Sequence, residues 1–119
     1  FETVGSRSAS NRSLQWGEKV VDPIFESRND YDVMYDLAKR LGFADRMFKN
    51  IAVRDDGSVV VEDITREFNR GMISTGYSGQ SPERLRLHMA NQEHFDLVTL
   101  KGKEGTPVAG EYYGLPWPC

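Results

Sequence analysis

The stretch Asn29-Asp30-Tyr31-Asp32-Val33-Met34-Tyr35-Asp36-Leu37-Ala38-Lys39-Arg40-Leu41-Gly42 decides the fold class. Val33, Met34, Leu37, Ala38 and Leu41 recur at the three-to-four spacing of an amphipathic helix, with Asp32, Asp36, Lys39 and Arg40 on the other face. Asn29 or Asp30 can cap its start and Gly42 its end. The acidic residues come early and the basic ones late, as the helix dipole favours. Residues 43–49 add a further turn expected to carry Phe43, Met47 and Phe48 into a core.

Downstream, Ile51-Ala52-Val53, the turn-forming Asp55-Asp56-Gly57 and Val59-Val60-Val61 predict a hairpin. Asp63 is a candidate cap for a helix through Ile64, Phe68 and Met72 that ends near Gly71. Residues 74–80 form a polar connector. Ser81-Pro82-Glu83 opens the next helix, with Ser at the cap and Pro in the first turn. That helix is expected to run to about Asn91 and to turn Leu85, His88 and Met89 inward. The Gly- and Pro-rich remainder, with Tyr112, Tyr113 and Trp117, predicts an irregular strap. Upstream, residues 3–15 are rich in Ser, Gly, Asn and Arg and read as a polar loop or edge hairpin. Leu14, Trp16, Val20, Val21 and Ile24 then mark an extended passage closed by Pro23. The class is α/β, in a single segment: residues 1–25 are loop and strap, and 26–119 hold helices, hairpin and the irregular tail.

Composition narrows what such a segment does. Only 39% of the 119 residues are hydrophobic, against a net charge of -3 with interspersed signs, so the core is thin and no nucleic-acid or anionic-membrane partner is predicted. Cys119 stands alone, which excludes an intrachain disulfide and a cysteine metal cluster. No apolar run approaches the ~20 residues of a membrane span. The start has neither an initiator Met nor a signal-peptide pattern, and both ends read as cuts through a longer polypeptide. An apolar patch is therefore expected where absent neighbours pack.

Candidate chemistry is sparse. His88 and His94 lack the spacing of a metal pair; His88, on an apolar face, reads as a core histidine donating to a carbonyl, and His94 as a loop histidine. Ser78 and Ser81 lack the strand-turn-helix setting of a nucleophile, and Ser81 is better read as a cap. Gly76 and Gly79 match no phosphate-binding fingerprint. Asp55/Asp56 and Glu62/Asp63 read as solvated loop charges. The exception is the segment Glu2–Gln15, where Arg7, Asn11, Arg12 and Gln15 concentrate donors suited to phosphate or purine recognition.

Glu2, Gly5, Ser6, Arg12 and Gln15, followed by Asp22-Pro23 and Ala38-Lys39-Arg40-Leu41-Gly42, resemble a stretch of the molybdopterin oxidoreductases. Gly79-Gln80-Ser81-Pro82-Glu83-Arg84-Leu85 and Gly114-Leu115-Pro116-Trp117-Pro118-Cys119 resemble formate dehydrogenases of that family. The resemblance implies an internal fragment of a Rossmann-like three-layer domain in the large subunit. It further implies bis(molybdopterin guanine dinucleotide) carrying molybdenum or tungsten, a 4Fe-4S cluster, formate oxidised to carbon dioxide, and an iron–sulfur electron-transfer subunit as partner. The periplasm or cytoplasm would be the compartment. No catalytic or metal-ligating residue lies in this segment, which is inactive alone. Gly5, Ser6, Arg12 and Gln15 are the implied cofactor contacts, Gly5 and Ser6 through close backbone approach. Ala9 departs from the pattern, because related nitrate reductases carry Asn there; Asn11 is the available substitute. Three other readings stay open: an Arg12–Glu2 pair that only holds the loop, a family member acting on nitrate, an N- or S-oxide or an arsenic oxyanion, and a non-catalytic module that displays Trp16, Tyr112, Tyr113 and Trp117.

Overall fold

A computed structural model describes residues 2–9, 13–71 and 78–115. It is a mixed α/β arrangement in which β1 (Gly5–Ser8) and β2 (Leu14–Gly17) precede four helices, α1 (Asp30–Arg40), α2 (Ala44–Met47), α3 (Val61–Gly71) and α4 (Pro82–Ala90). The polar amino-terminal stretch is a hairpin: β1 and β2 pair antiparallel with Ser6 opposite Trp16 and Arg7 opposite Gln15. Alternation then fixes two faces, Trp16 and Leu14 buried and Gln15 exposed. The extended passage stops at Gly17; Val20, Val21 and Ile24 are exposed and outside any strand.

The first helix forms where expected. Asn29 Oδ1 accepts the Tyr31 N–H at 3.1 Å. At the other end Gly42, at φ +77°, lets its own N–H reach Lys39 O and the Phe43 N–H reach Ala38 O, the paired bonds of a Schellman stop. The buried face differs from expectation. Tyr31, Tyr35 and Ala38 face the core, whereas Val33, Met34, Leu37 and Leu41 are exposed. The spacing 31, 35, 38 is also one helical face, and Tyr35 meets Phe48 edge-on at 5.2 Å; apolar periodicity does not say which body covers a stripe. Phe48 and Ala44 are buried as α2 closes on α1, but Phe43 and Met47 stay exposed.

The expected hairpin at 51–61 contracts to a single bridge, Val53 with Val59, around a turn with Gly57 at φ +84°. Val61 belongs to α3, since burial of Val61 and Ile64 on one face outweighs the weak helix propensity of a β-branched residue. Asp63 therefore lies inside the first turn rather than at the cap, accepting the Ala52 N–H at 3.0 Å. Met72 lies outside the described residues. Ser81 caps α4 by accepting the Arg84 N–H at 3.1 Å, with Pro82 in the first turn.

Two small cores result. One joins α1, α2, α3 and Val59; the other packs Leu14 and Trp16 of the hairpin on Leu85 of α4. A Ser6–Thr65 hydroxyl contact at 3.2 Å ties β1 to α3. Arg86 lies 4.5 Å over the Trp16 ring and pairs with Glu18 and Glu62 at 2.7 Å each. Glu62 and Asp63 are thus helical, paired charges, not solvated loop charges. For Glu62, burial pushes the carboxyl up, yet the hydrogen bond and charge of Arg86, helped by Arg54, outweigh it and hold the group below its ordinary range. Trp16, at 2% exposed, is not available to an external partner.

Candidate functional site

The hairpin and the start of α1 border a groove of about 690 Å³ whose lining includes Glu2, Gly5, Ser6, Arg7, Val21 and Met34. Its mouth carries both signs. Ser27 Oγ donates to Glu2 at 3.2 Å, and Arg28 pairs with Asp36 at 2.7 Å. A second cavity of about 280 Å³ shares Ser6 and Tyr31 with the groove and continues over Ser8, Thr65, Phe68 and Asn69.

Of the four residues implied as cofactor contacts, Gly5 and Ser6 line the groove. Gln15 lies on the exposed face of the hairpin beside Arg7 and lines neither cavity. Arg12 lies outside the described residues, as do Asn11, Gly76 and Trp117. A Cβ added at Gly5 would meet Val61 Cγ1 at 3.4 Å, an ordinary contact toward α3. Its lack of a side chain is therefore not what opens the groove. No group of His, Cys, Asp or Glu among the described residues could hold a metal ion.

Thr65 and Asn69 were not singled out by sequence, although their i, i+4 spacing on α3 was a usable signal. Asn69 brackets the Gln80 backbone, donating to Gln80 O at 2.8 Å and accepting from Gln80 N at 2.7 Å, and so ties α3 to the start of α4.

A second polar cluster centres on His88. His88 is 1% exposed; its Nδ1 accepts the Gly114 N–H at 3.1 Å, which leaves the proton on Nε2 to be donated to Glu111 Oε2 at 3.1 Å. The acceptor is a carboxylate, where a carbonyl was expected. Arg84 Nε also donates to Glu111 Oε2, at 2.6 Å, and Arg84 Nη1 to Gly79 O and Leu115 O. Phe95 and Tyr113 pack on the imidazole at 5.2 and 6.1 Å between ring centres. With every position of the imidazole engaged, this cluster holds the carboxy-terminal strap on α4 and presents no free base.

Burial lowers the His88 pKa; the Glu111 hydrogen bond opposes that shift without cancelling it, and the charge of Arg84 adds to it. Burial would raise the Glu111 carboxyl, but its bonds and charges to Arg84 and His88 together hold it low. The folded protein therefore keeps His88 neutral where the unfolded chain binds a proton. Stability from this source is complete above about pH 6.5 and declines as pH falls through the folded value. The Glu111 contribution is present above about pH 4.3 and is lost as pH falls through its own lowered value. Denaturant midpoints measured across this range should fall first below about pH 6.5. A flat profile down to about pH 5 would sink the assignment of a neutral, buried His88.

No family model matches the chain, and no solved structure matches it. Among curated proteins, dimethyl sulfoxide/trimethylamine N-oxide reductase of Cereibacter sphaeroides is 51% identical over 42 residues, which are 35% of this chain and 5% of that protein. The match spans only that small fraction of the relative's length. Part of this chain is thus moderately similar to a molybdopterin oxidoreductase.

Proposed function

We propose that this chain is a segment of the catalytic subunit of a molybdopterin-dependent oxidoreductase. The 51% identity over 42 residues to an enzyme of that family carries the reading, and the ordered motifs from Glu2 to Gly42 support it. The described residues supply only an antiparallel hairpin and helices; that the segment belongs to a Rossmann-like three-layer domain of the whole subunit rests on the family resemblance alone. The cofactor, bis(molybdopterin guanine dinucleotide) with molybdenum or tungsten, supplies the redox chemistry.

What this segment contributes is enclosure. Gly5 and Ser6 line the groove and, with Gln15 of β2 and Arg12, are the residues proposed to contact the cofactor. Substrate class divides two readings. The relative is named for reducing a sulfoxide and an N-oxide, which favours oxide reduction here. Formate oxidation, with electrons leaving through a 4Fe-4S cluster to an iron–sulfur subunit, is supported by the resemblance of residues 79–85 and 114–119 to formate dehydrogenases.

Metal analysis of the purified full-length protein, followed by dye-linked assays, tests both. Molybdenum or tungsten is expected near stoichiometric amounts. Dye oxidation driven by dimethyl sulfoxide or trimethylamine N-oxide selects the first reading, and dye reduction driven by formate selects the second. Absence of both metals and of pterin from freshly purified, folded protein would overturn the family reading. Arg12→Ala in the same protein is expected to lower pterin content or turnover by about tenfold, the scale of one lost charge-assisted hydrogen bond. Unchanged content and turnover would leave Arg12 only a loop-holding role.

A further inference from the structure

Gly114 joins the carboxy-terminal strap to two other elements through its own backbone. Its N–H donates to His88 Nδ1 at 3.1 Å, and its carbonyl accepts the Leu14 N–H at 2.6 Å. Its φ is +62°, a left-handed conformation that glycine adopts without strain. Leu14 of β2 lines the 280 Å³ cavity together with Ser6 and with Ser8, its register partner on β1. Two consecutive hydrogen bonds therefore run from the imidazole on α4 to the wall of that cavity.

The first of these bonds depends on the protonation state of the ring. Nδ1 accepts only while it carries no proton, and in the imidazolium both nitrogens are donors. Nε2 keeps its acceptor in either state, since Glu111 Oε2 stands 3.1 Å away. The bond that protonation destroys is thus the one to Gly114. Two N–H groups would then face each other across 3.1 Å beside a ring that is 1% exposed, with neither proton accepted. Around the ring, Glu111 of the strap favours the imidazolium, and Arg84, one turn earlier on α4, opposes it. Tyr113 packs on the ring with its hydroxyl pushed by burial above its usual range, so it stays neutral, and Phe95 adds an apolar edge. The hairpin meets Gly114 with Ser13 and Leu14, which carry no charge.

We propose that His88 is a proton-operated latch on the hairpin: when Nδ1 takes up a proton, Gly114 is released, Leu14 loses its strap partner, and the cavity wall formed by β2 loosens. Leu85 and Arg86 still hold Trp16, so the acid form slackens β2 without ejecting it. The core built on Ala38, Ala44 and Phe48 shares no residue with this relay and stays closed. Burial disfavours the imidazolium, so the latch is shut at neutral pH and opens as pH falls below about 6.5. It works in this way whatever the cavity or the groove binds.

Backbone hydrogen–deuterium exchange of the full-length protein, read on peptides by mass spectrometry and corrected for the intrinsic pH dependence of exchange, tests the latch. Opening in peptides that contain Leu14 and Gly114 is expected to rise by up to about tenfold per pH unit below about pH 6.5, the slope of one bound proton. Peptides from residues 31–48 should stay protected. Slow exchange at the imidazole C2 carbon reports the titration of His88 in the same samples, and the rise should level off where His88 becomes protonated in the folded protein. No rise, or a rise that continues unchanged through the His88 titration, overturns the proposal. Loss of protection in residues 31–48 over the same pH range also overturns it, because the whole fold is then opening. His88→Asn places a non-titrating acceptor near the Nδ1 position and is expected to abolish the rise; a wild-type slope in that variant assigns the effect to another group. Where the variant does not fold, the two wild-type curves decide.

Discussion

Gly102→Ala is expected to destabilise the protein by about 3 kcal/mol or more, the range of a substitution that forces backbone apart. A Cβ built at Gly102 would sit 1.8 Å from Val108 O and 2.7 Å from Val108 C, and both atoms are backbone. No rotamer change relieves that overlap. Val108 is itself wholly buried, and Gly102 N–H donates to Glu111 O at 2.8 Å, so moving either strand disturbs the carboxylate that serves Arg84 and His88. Gly105→Ala is the control. It removes a residue at φ +76° with open space around it, and its cost is about 1 kcal/mol. Chemical denaturation of both variants should separate them clearly; equal midpoints would mean that the strap from Phe95 to Tyr113 is packed differently.

Glu111→Leu is the second large effect, at about 3 kcal/mol. The change leaves the Arg84 guanidinium, 12% exposed, without its counter-ion, and leaves the His88 Nε2–H without an acceptor. Removing one partner of a buried charge pair costs more than removing both. The double variant Arg84→Met/Glu111→Leu should therefore recover a substantial part of the loss. A double-mutant cycle reads the coupling directly, and additive effects would show that Arg84 and Glu111 act independently.

Both effects centre on contacts that no local pattern announces. Glu111 and His88 are far apart in sequence, and a carboxylate in a Gly- and Pro-rich tail gives no sign of its partner. Elements closed by their own neighbours were legible. Asn29 and Gly42 delimit α1, and Ser81 with Pro82 opens α4, because caps are short-range chemistry. Which side of α1 would be buried was not legible. Tyr31, Tyr35 and Ala38 compete with Val33, Met34, Leu37 and Leu41 for that role, and the outcome depends on Phe48 and Val59 arriving from outside the helix. Val61 shows the same limit, since three consecutive valines read as strand until the packing of α3 is known. In the groove, Gly5 and Ser6 were found from the motif and Thr65 and Asn69 were not, because their position beside Ser6 is set by tertiary contact.

Leu14 N–H donates to Gly114 O at 2.6 Å, and a Cβ at Gly114 would meet that same strand at 2.6 Å from Leu14 O. The hairpin is thus fastened by residues far downstream of it in the chain. During translation, β2 leaves the ribosome well before the strap that secures it, so Trp16 and Leu14 spend that interval without their final cover. Chaperone dependence should consequently concentrate on the β1–β2 hairpin, even though the contact it waits for belongs to a segment far downstream.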